Sequence, residues 1–126
     1  MVNGAHVLLY SSNAEADRAF FRDVLGMPNV DVGDGWLIFG LPPAEMAVHP
    51  TEDAALGIPH AGDDLASCAL YLMCDDVSRV ISTLTQKSVP CAPVMAAPWG
   101  LRTAITLPSG AKVGLYEPRH PKPPRA

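Results

Sequence analysis

The sequence predicts an α+β fold in which two pseudo-repeated βαβββ modules form a cup-shaped mixed sheet. The first observation is an internal repeat: apolar runs at 6–10 and 69–73 each lead into polar helix-capping residues and a helical stretch. The second is that each half then contains a proline and, later, a Leu-Pro turn before a last strand-like segment. Two copies are too few for a solenoid, so the repeat favours a pseudo-twofold domain with a site between its modules.

The first module opens with a predicted strand at 5–10 and a predicted helix after it. Ser12 and Glu15 fit a capping box, which predicts the start of the helix. Gly26 can adopt the left-handed conformation that ends a helix, and Pro28 prevents the helix from continuing. The apolar residues of the inner helix face are Ala16, Phe20, Val24 and either Phe21 or Leu25.

The rest of the first module is predicted to be strands. A short strand is expected at 29–32, and Asp34 followed by Gly35 is a hairpin signal. Two antiparallel strands, at 36–39 and 45–49, then complete the module. Residues 51–67 have two glycines, a proline and several acids without periodicity, so they predict an irregular linker between the modules.

The second module repeats this order. Residues 68–73 predict a strand, and Asp75 or Asp76 caps the next helix. Its apolar positions follow helical spacing: Val77, Val80, Ile81 and Leu84. Pro90 marks the helix end, and the neighbourhood of Val94 predicts a weakly paired strand.

A last hairpin closes the predicted domain. Strands at 103–107 and 112–116 flank a turn at 108–110. The expected organisation is one domain over 1–118, with modules at 1–50 and 68–118. Four prolines follow within 118–126, so 119–126 is predicted to be a disordered tail.

Composition narrows the class of protein. A chain of 126 residues with 48% hydrophobic residues can build one real core. A net charge of −4 without a basic patch argues against nucleic acid as a partner, and no apolar run is long enough to span a membrane. Met1 to Tyr10 lacks the pattern of a signal peptide, so a cytoplasmic location is expected by default. Cys68, Cys74 and Cys91 are odd in number without CxxC spacing, and are expected to be small buried hydrophobes, with a cysteine facing the cavity as the alternative.

Two segments resemble the vicinal oxygen chelate superfamily. Residues 19–27, Ala-Phe-Phe-Arg-Asp-Val-Leu-Gly-Met, look like its helix end, and residues 107–116, Leu-Pro-Ser-Gly-Ala-Lys-Val-Gly-Leu-Tyr, look like its last hairpin. The resemblance covers nearly the whole chain except the tail. That superfamily includes glyoxalase I, bleomycin-resistance proteins, extradiol dioxygenases and methylmalonyl-CoA epimerase. The resemblance therefore implies two βαβββ modules with a helix on the outer side of each sheet, but it implies no single function.

The resemblance also implies where a metal would bind, on the first and last strands of each module. The first of these positions falls on His6, which is a match. The other three fall on Ala47, Gly114 and Ala69, or on Cys68 if the register slips, and none of these is a typical ligand in such a site. Three residues could form a displaced metal site if the register adjusts: His6, Glu45 and His49.

Several residues are candidates for an apolar ligand pocket. Trp36 and Trp99 occupy corresponding places in the two modules, and each would either pack in the core or form an aromatic wall of a cavity. Glu45 is expected to be either a solvated carboxylate or an acid facing the pocket, and His6 either a ligand or a hydrogen-bonded strand residue. His60 and His120 are given no role. The other members share strand faces with the lost metal positions: Tyr71, Met73 and Tyr116, beside Ala47 and Gly114, whose small size would leave room for a ligand.

These observations favour a small-molecule binding protein of the glyoxalase/bleomycin-resistance type that is metal-free and holds an apolar or aromatic compound. No cofactor is expected, although a divalent metal ion is the alternative. One alternative function is a divalent-metal-dependent lyase, isomerase or dioxygenase with the displaced site, and another is a degenerate regulatory or interaction module. A homodimer is expected by analogy with the superfamily, and a membrane or nucleic-acid partner is not.

Overall fold

The computed structural model describes residues 6–45, 47 and 57–121 of the chain. The first half has one helix and two hairpins: α1 Ala14–Ala19, continued by a π-helical segment Phe20–Val24, then β1 Asn29–Asp31, β2 Leu37–Phe39, β3 Gly57–His60 and β4 Asp63–Ala66. The second half has the β-α-β-β-β order expected of a module: β5 Tyr71–Met73, α2 Val77–Gln86, β6 Met95–Ala97, β7 Gly100–Thr106 and β8 Lys112–Pro118. The protein is therefore α+β, as predicted.

The opening segment is not a strand. The prediction at 5–10 is wrong for residues 6–10, which have irregular backbone, and Glu45 and Ala47 are irregular too. A strand needs a neighbour for its backbone groups, and no described strand is hydrogen-bonded to this segment in a sheet. Tyr10 instead makes a hydrogen bond of 2.6 Å between its hydroxyl and Nδ1 of His60. Most of the strand predicted at 45–49, including His49, lies outside the described residues.

The first helix forms where the sequence places it, but with a different cap. Asn13 rather than Ser12 is the N-cap, and its side-chain oxygen accepts a hydrogen bond from the Ala16 amide at 3.2 Å. Asparagine is as good a cap as serine, and the choice depends on local backbone geometry. Phe20 and Phe21 are buried, and Gly26 ends the helical segment with a φ of +65° as predicted.

Two hairpins follow in the first half. β1 and β2 pair antiparallel around Asp34 and Gly35, both with positive φ, which confirms the predicted turn. A second antiparallel pair, β3 and β4, occupies 57–66, where an irregular linker was predicted. The prediction of irregular backbone is wrong for these residues. Ala61 and Gly62 form a turn with positive φ, and the flanking strands were missed because their residues do not alternate between apolar and polar.

The second module forms one four-stranded sheet with the strand order β5-β8-β7-β6. β5 runs parallel to β8, and the other neighbours are antiparallel. Helix α2 begins at the Asp76 cap, whose carboxylate accepts a hydrogen bond from the Arg79 amide at 3.1 Å. Val77 and Leu84 are almost fully buried, which confirms the inner face predicted from helical spacing.

The two faces of this sheet differ in character. Alternate residues of β7 and β8 point to a face covered by the helices, called here the helix face, and the others point to what we call the open face. The helix face supplies the core with Ile105, Val113 and Leu115, which pack with residues of both helical segments. The core of buried residues consists of Phe20, Phe21, Val77, Leu84, Val89, Ile105, Leu107, Val113 and Leu115.

A buried carboxylate joins the first helix to the last hairpin. Asp17 is only 6% exposed, and it accepts hydrogen bonds from the backbone amide of Ser109 at 3.0 Å and from its hydroxyl at 2.7 Å. These bonds satisfy the charge that the helix buries and hold the turn between β7 and β8 against α1.

The C-terminal segment is ordered further than predicted. The Arg119 amide donates to the Trp99 carbonyl at 2.9 Å, and the ring of His120 lies 6.1 Å from that of Tyr116. The predicted disordered tail is therefore wrong for 119–121, while 122–126 lie outside the described residues. Within the part of the chain that is described, no helix is long and apolar enough to cross a bilayer.

Candidate functional site

The open face of the four-stranded sheet brings predicted pocket residues together. Tyr71 on β5 is paired with Gly114 on β8, and Met73 is paired with Tyr116, so these four residues share the face. Arg102 on β7 is paired with Tyr116 from the other side. Because side chains alternate along a strand, the long side chains of Tyr71, Tyr116 and Arg102 lie beside one another on this face.

Three rings form an aromatic cluster on this face, defined as Tyr71, Trp99 and Tyr116. Their centroids are 5.3 Å apart for Trp99 and Tyr116, 5.6 Å for the two tyrosines and 6.1 Å for Tyr71 and Trp99. All three pairs are close to perpendicular, the edge-to-face arrangement that aromatic quadrupoles favour. Trp99 remains 39% exposed, so the cluster presents an aromatic surface to solvent.

Arg102 is a charged group of the open face. Its Nε donates to the Tyr71 hydroxyl at 3.0 Å, its guanidinium carbon lies 5.7 Å from the centre of the Tyr71 ring, and its Nη1 reaches the sulfur of Met95 at 3.6 Å. No carboxylate of the described residues lies within 4.0 Å of it. The residue was missed from the sequence, where the strand was predicted to begin at Thr103. The sequence signal that could have identified Arg102 is its position as a charged residue within the mainly apolar strand at 101–105.

Gly114 leaves room, but a protein side chain fills it. A Cβ at this position would collide with the ring of Tyr71, which lies directly over the glycine. The aromatic ring of the neighbouring strand covers the backbone at Gly114, and the prediction that its small size makes space for a ligand stays a prediction. Because Gly114 has no side chain, the Tyr71 ring can lie over its backbone, and from there its hydroxyl accepts a hydrogen bond from Nε of Arg102.

Glu45 is half-buried, and its carboxylate has two side-chain partners. Its carboxylate accepts a hydrogen bond from the Tyr116 hydroxyl at 3.0 Å and lies 3.2 Å from Nε2 of His120. Burial, together with the hydrogen bond and the charge of Glu45, raises the pKa of Tyr116 to about 12. His120, which was given no role, thus joins the C-terminal segment to the first half of the chain beside the aromatic cluster. Sequence spacing contains no signal for a contact of this kind.

A cavity of about 490 Å³ opens next to the cluster, along the edge of β5. Its walls include Leu9 from the opening segment, Tyr71 and Gly114 from the sheet, and the two cations Arg102 and Lys112. Its volume lies in the range of small-molecule sites. Apolar surface with a few polar groups is also the composition that such sites have.

The cysteines divide between the two predicted settings. Cys74 and Cys91 are half-buried, and the pKa of each thiol is raised, chiefly by that burial. They are therefore protonated, unreactive packing groups. Cys68 is exposed and lies in the cavity wall, which fits the alternative of a cysteine facing the cavity.

Other predicted residues lie elsewhere. Trp36 is 53% exposed and lies against Arg18, whose guanidinium carbon is 4.5 Å from the ring centre, so it is not part of the aromatic cluster. His6 and Ala47 are exposed, and His49 lies outside the described residues. The described residues contain no group of three or more His, Cys, Asp or Glu side chains placed to hold a metal ion. Because His49 is not among them, the displaced metal site stays a prediction.

Comparison with solved structures identifies the fold. The chain is similar to TnmS3, an antibiotic binding protein from Streptomyces sp. CB03234, with 22% identity, a TM-score of 0.60 and coverage of 94% of this chain and 99% of that one. It is similar to a lactoylglutathione lyase from Agrobacterium tumefaciens, with 20% identity, a TM-score of 0.61 and coverage of 90% and 92%. A glyoxalase/bleomycin resistance protein from Streptomyces sp. CB03234 matches with 21% identity, a TM-score of 0.54 and coverage of 84% and 92%.

The comparisons of sequence alone find nothing. No family model matches the chain. No curated protein matches it either. The chain nevertheless shares the fold of these solved structures, one of which is described as a glyoxalase/bleomycin resistance protein.

Proposed function

We propose that this chain is a metal-free small-molecule binding protein that holds an aromatic compound on the open face of its four-stranded sheet. The observation that supports this most directly is the partly exposed aromatic cluster beside a cavity of about 490 Å³. Edges and faces of perpendicular rings offer stacking surfaces to a further planar ring. The similarity to a protein described as antibiotic binding supports the same class of function.

The two tryptophans allow the location of binding to be tested. Trp99 belongs to the aromatic cluster, whereas Trp36 lies against Arg18 outside it. The probes are neutral and acidic compounds with one to three fused aromatic rings, added to ¹⁵N-labelled protein. We expect the indole N–H resonance of Trp99 to shift with saturable dependence on probe concentration, while that of Trp36 stays in place.

Two single variants provide the assignment and the control. Trp36→Phe leaves one indole resonance, which is that of Trp99, and should retain affinity. Trp99→Ala removes one wall of the cluster, and should weaken binding by about fivefold because stacking on one aromatic side chain contributes about 1 kcal/mol. Equal shifts at both indoles, or equal affinity of both variants, would place binding elsewhere and contradict the proposal.

Elemental analysis of untagged protein purified without chelator tests the metal-dependent alternative. That alternative is a lyase, isomerase or dioxygenase that uses His6, Glu45 and His49. Near one equivalent of metal per chain, lost in His6→Ala, would replace the binding-protein proposal with it. Metal far below one equivalent that does not rise after incubation with zinc, nickel, manganese or iron(II) supports the metal-free proposal.

We also propose that the chain forms a homodimer in the cytoplasm. Val30 and Ile38 are paired directly across the first hairpin and are both exposed, as are the apolar residues at 7–10. Apolar surface of this kind is typical of interfaces. Three free cysteines suit a reducing compartment. Sedimentation velocity should give twice the mass of the chain, and a mass that stays monomeric at high micromolar concentration would reject the dimer. In that case the third alternative, an interaction module that acts through dimer contacts, is rejected with it.

A further inference from the structure

The charges around the cavity suggest what kind of aromatic compound it accepts. Arg102 and Lys112 both lie in the cavity wall, and no acidic residue is among the residues that line it. The chain as a whole carries 13 acids against 9 Lys and Arg residues. The cavity wall is therefore positively charged although the protein as a whole is negatively charged. The local electrostatic potential of the cavity favours an anion.

The hydrogen-bond inventory of Arg102 leads to the same conclusion. A guanidinium has five N–H donors, and here one is used on the Tyr71 hydroxyl and one faces the weak acceptor sulfur of Met95. The remaining donors have no acceptor among the described residues. A half-buried guanidinium without a carboxylate partner is costly, and a ligand oxyanion would offset that cost with paired, charge-assisted hydrogen bonds.

The position of Arg102 is set by groups around it rather than by chance. The Tyr71 hydroxyl accepts from Nε and thereby fixes the plane of the guanidinium, while Gly114 allows the Tyr71 ring to lie where it does. The terminal nitrogens thus stand beside the aromatic cluster. The fork geometry of arginine is suited to a planar carboxylate.

We propose that the ligand is an aromatic acid, whose ring packs on the aromatic cluster while its carboxylate pairs with Arg102. This inference rests on the proposed function and deepens it by naming the chemical class of the ligand. In it Arg102 is a binding residue, Tyr71 a positioning residue, and Lys112 adds charge at the rim of the cavity.

The experiment compares matched pairs of probes that differ in charge alone. The pairs are benzoate with acetophenone, 2-naphthoate with 2-acetonaphthone, and anthracene-2-carboxylate with 2-acetylanthracene, titrated calorimetrically at neutral pH. Within the ring size that fits, we expect the acid to bind at least about tenfold more tightly than its neutral partner, the effect of a charge-assisted hydrogen bond.

Variants separate the charge from the shape. Arg102→Gln should remove most of the preference for the acid, with a remainder of it left by the charge of Lys112, while leaving the affinity of the neutral probe within about twofold. Arg102→Lys should keep part of the preference, since it retains charge but not the fork geometry. Tyr71→Phe should reduce the preference through loss of the bond that orients the guanidinium. Arg79→Gln is the matched control, because Arg79 is exposed on α2, and should leave the preference unchanged.

The outcomes distinguish this inference from the proposed function. If the neutral probes bind as tightly as the acids, aromatic binding stands and the anionic class is wrong. If the acids bind more tightly but Arg102→Gln retains that preference, the pairing of the carboxylate with Arg102 is wrong. If no acid or neutral probe binds, both the proposed function and this inference fail. A ratio of affinities is used because it is insensitive to a general loss of stability in a variant, which thermal melting would report separately.

Discussion

The Asp17–Ser109 contact allows a prediction about stability in which the control lies in the same helix. Asp17 is 6% exposed and accepts two hydrogen bonds from Ser109, at 3.0 Å and 2.7 Å, across 92 residues of sequence. Hydrogen bonds to a charged group contribute about 1.5–3 kcal/mol each, and two on one carboxylate are not additive. We expect Asp17→Ala to lower the free energy of unfolding by about 2–4 kcal/mol, a shift of roughly 10 °C in melting temperature for a domain of this size.

The control removes the effect of helix propensity. Alanine favours a helix over aspartate, which opposes the loss, and Asp23→Ala makes the same replacement at an exposed residue of the following helical turn. We expect no measurable change in Asp23→Ala, because the gain in helix propensity opposes the loss of the exposed ion pair between Asp23 and Arg22 and both effects are small. Ser109→Ala removes the hydroxyl but keeps the backbone amide, so it should cost about half as much as Asp17→Ala.

The assay is urea denaturation monitored by circular dichroism, performed on the three single variants and on the double variant of Asp17 and Ser109. The double variant should be less destabilised than the sum of its parents, because both single changes remove one shared bond. If Asp17→Ala and Asp23→Ala have the same urea midpoint, the buried carboxylate of Asp17 does not hold the last hairpin against α1.

Two further predictions concern the open face. Gly114→Ala should lower the free energy of unfolding by about 1–3 kcal/mol because the added Cβ displaces the Tyr71 ring, and Gly40→Ala, which meets only ordinary van der Waals distances, is the control for denaturation midpoints. The pKa of Tyr116 is raised from 10.0 to about 12, so an unfolded chain releases that proton first as the pH rises. The part of the stability that this group contributes should therefore be complete below pH 10 and be lost as the pH approaches 12. The urea midpoints of wild type and Tyr116→Phe should differ below pH 10 and converge as the pH rises from 10 to about 12. Glu45→Gln should narrow this pH range, because Glu45 is one cause of the raised pKa of Tyr116. A constant difference between the two midpoints would contradict the assignment.

What could be predicted from the sequence is what depends on neighbours along the chain. The four apolar positions of α2 recur at helical spacing, and Asp76 caps the helix with its own side chain, so both were identified correctly. The turn at Asp34 and Gly35 was found for the same reason, since the need for positive φ limits the residue types. The strand predicted at 5–10 does not form at residues 6–10. An apolar run forms a strand only when another strand pairs with its backbone, and the sequence of the run does not show whether one does.

What could not be predicted depends on contacts between distant residues. Glu45 was weighed as either a solvated carboxylate or an acid facing the pocket, and neither interpretation contained its partners Tyr116 and His120, which are more than 70 residues away. Arg102 was overlooked because its importance arises from Tyr71 on a strand that is not its neighbour in the sheet. Periodicity assigned the open face to Tyr71, Met73 and Tyr116, but only the register of three strands shows which charged group stands among them.

The division of the sheet into two faces separates stability from recognition. The buried residues of β7 and β8, such as Ile105 and Leu115, point to the helix face and pack with α1 and α2, while Arg102 and Tyr116 alternate with them and point away. Substitutions on opposite faces share few partners, so their effects on free energy should be nearly additive. Open-face residues of the cavity wall, such as Arg102, can then be altered without repacking the core, whereas the wall residue Val113 belongs to it. The low identity and high coverage of the similar structures agree with a scaffold that is kept while most of the other residues change.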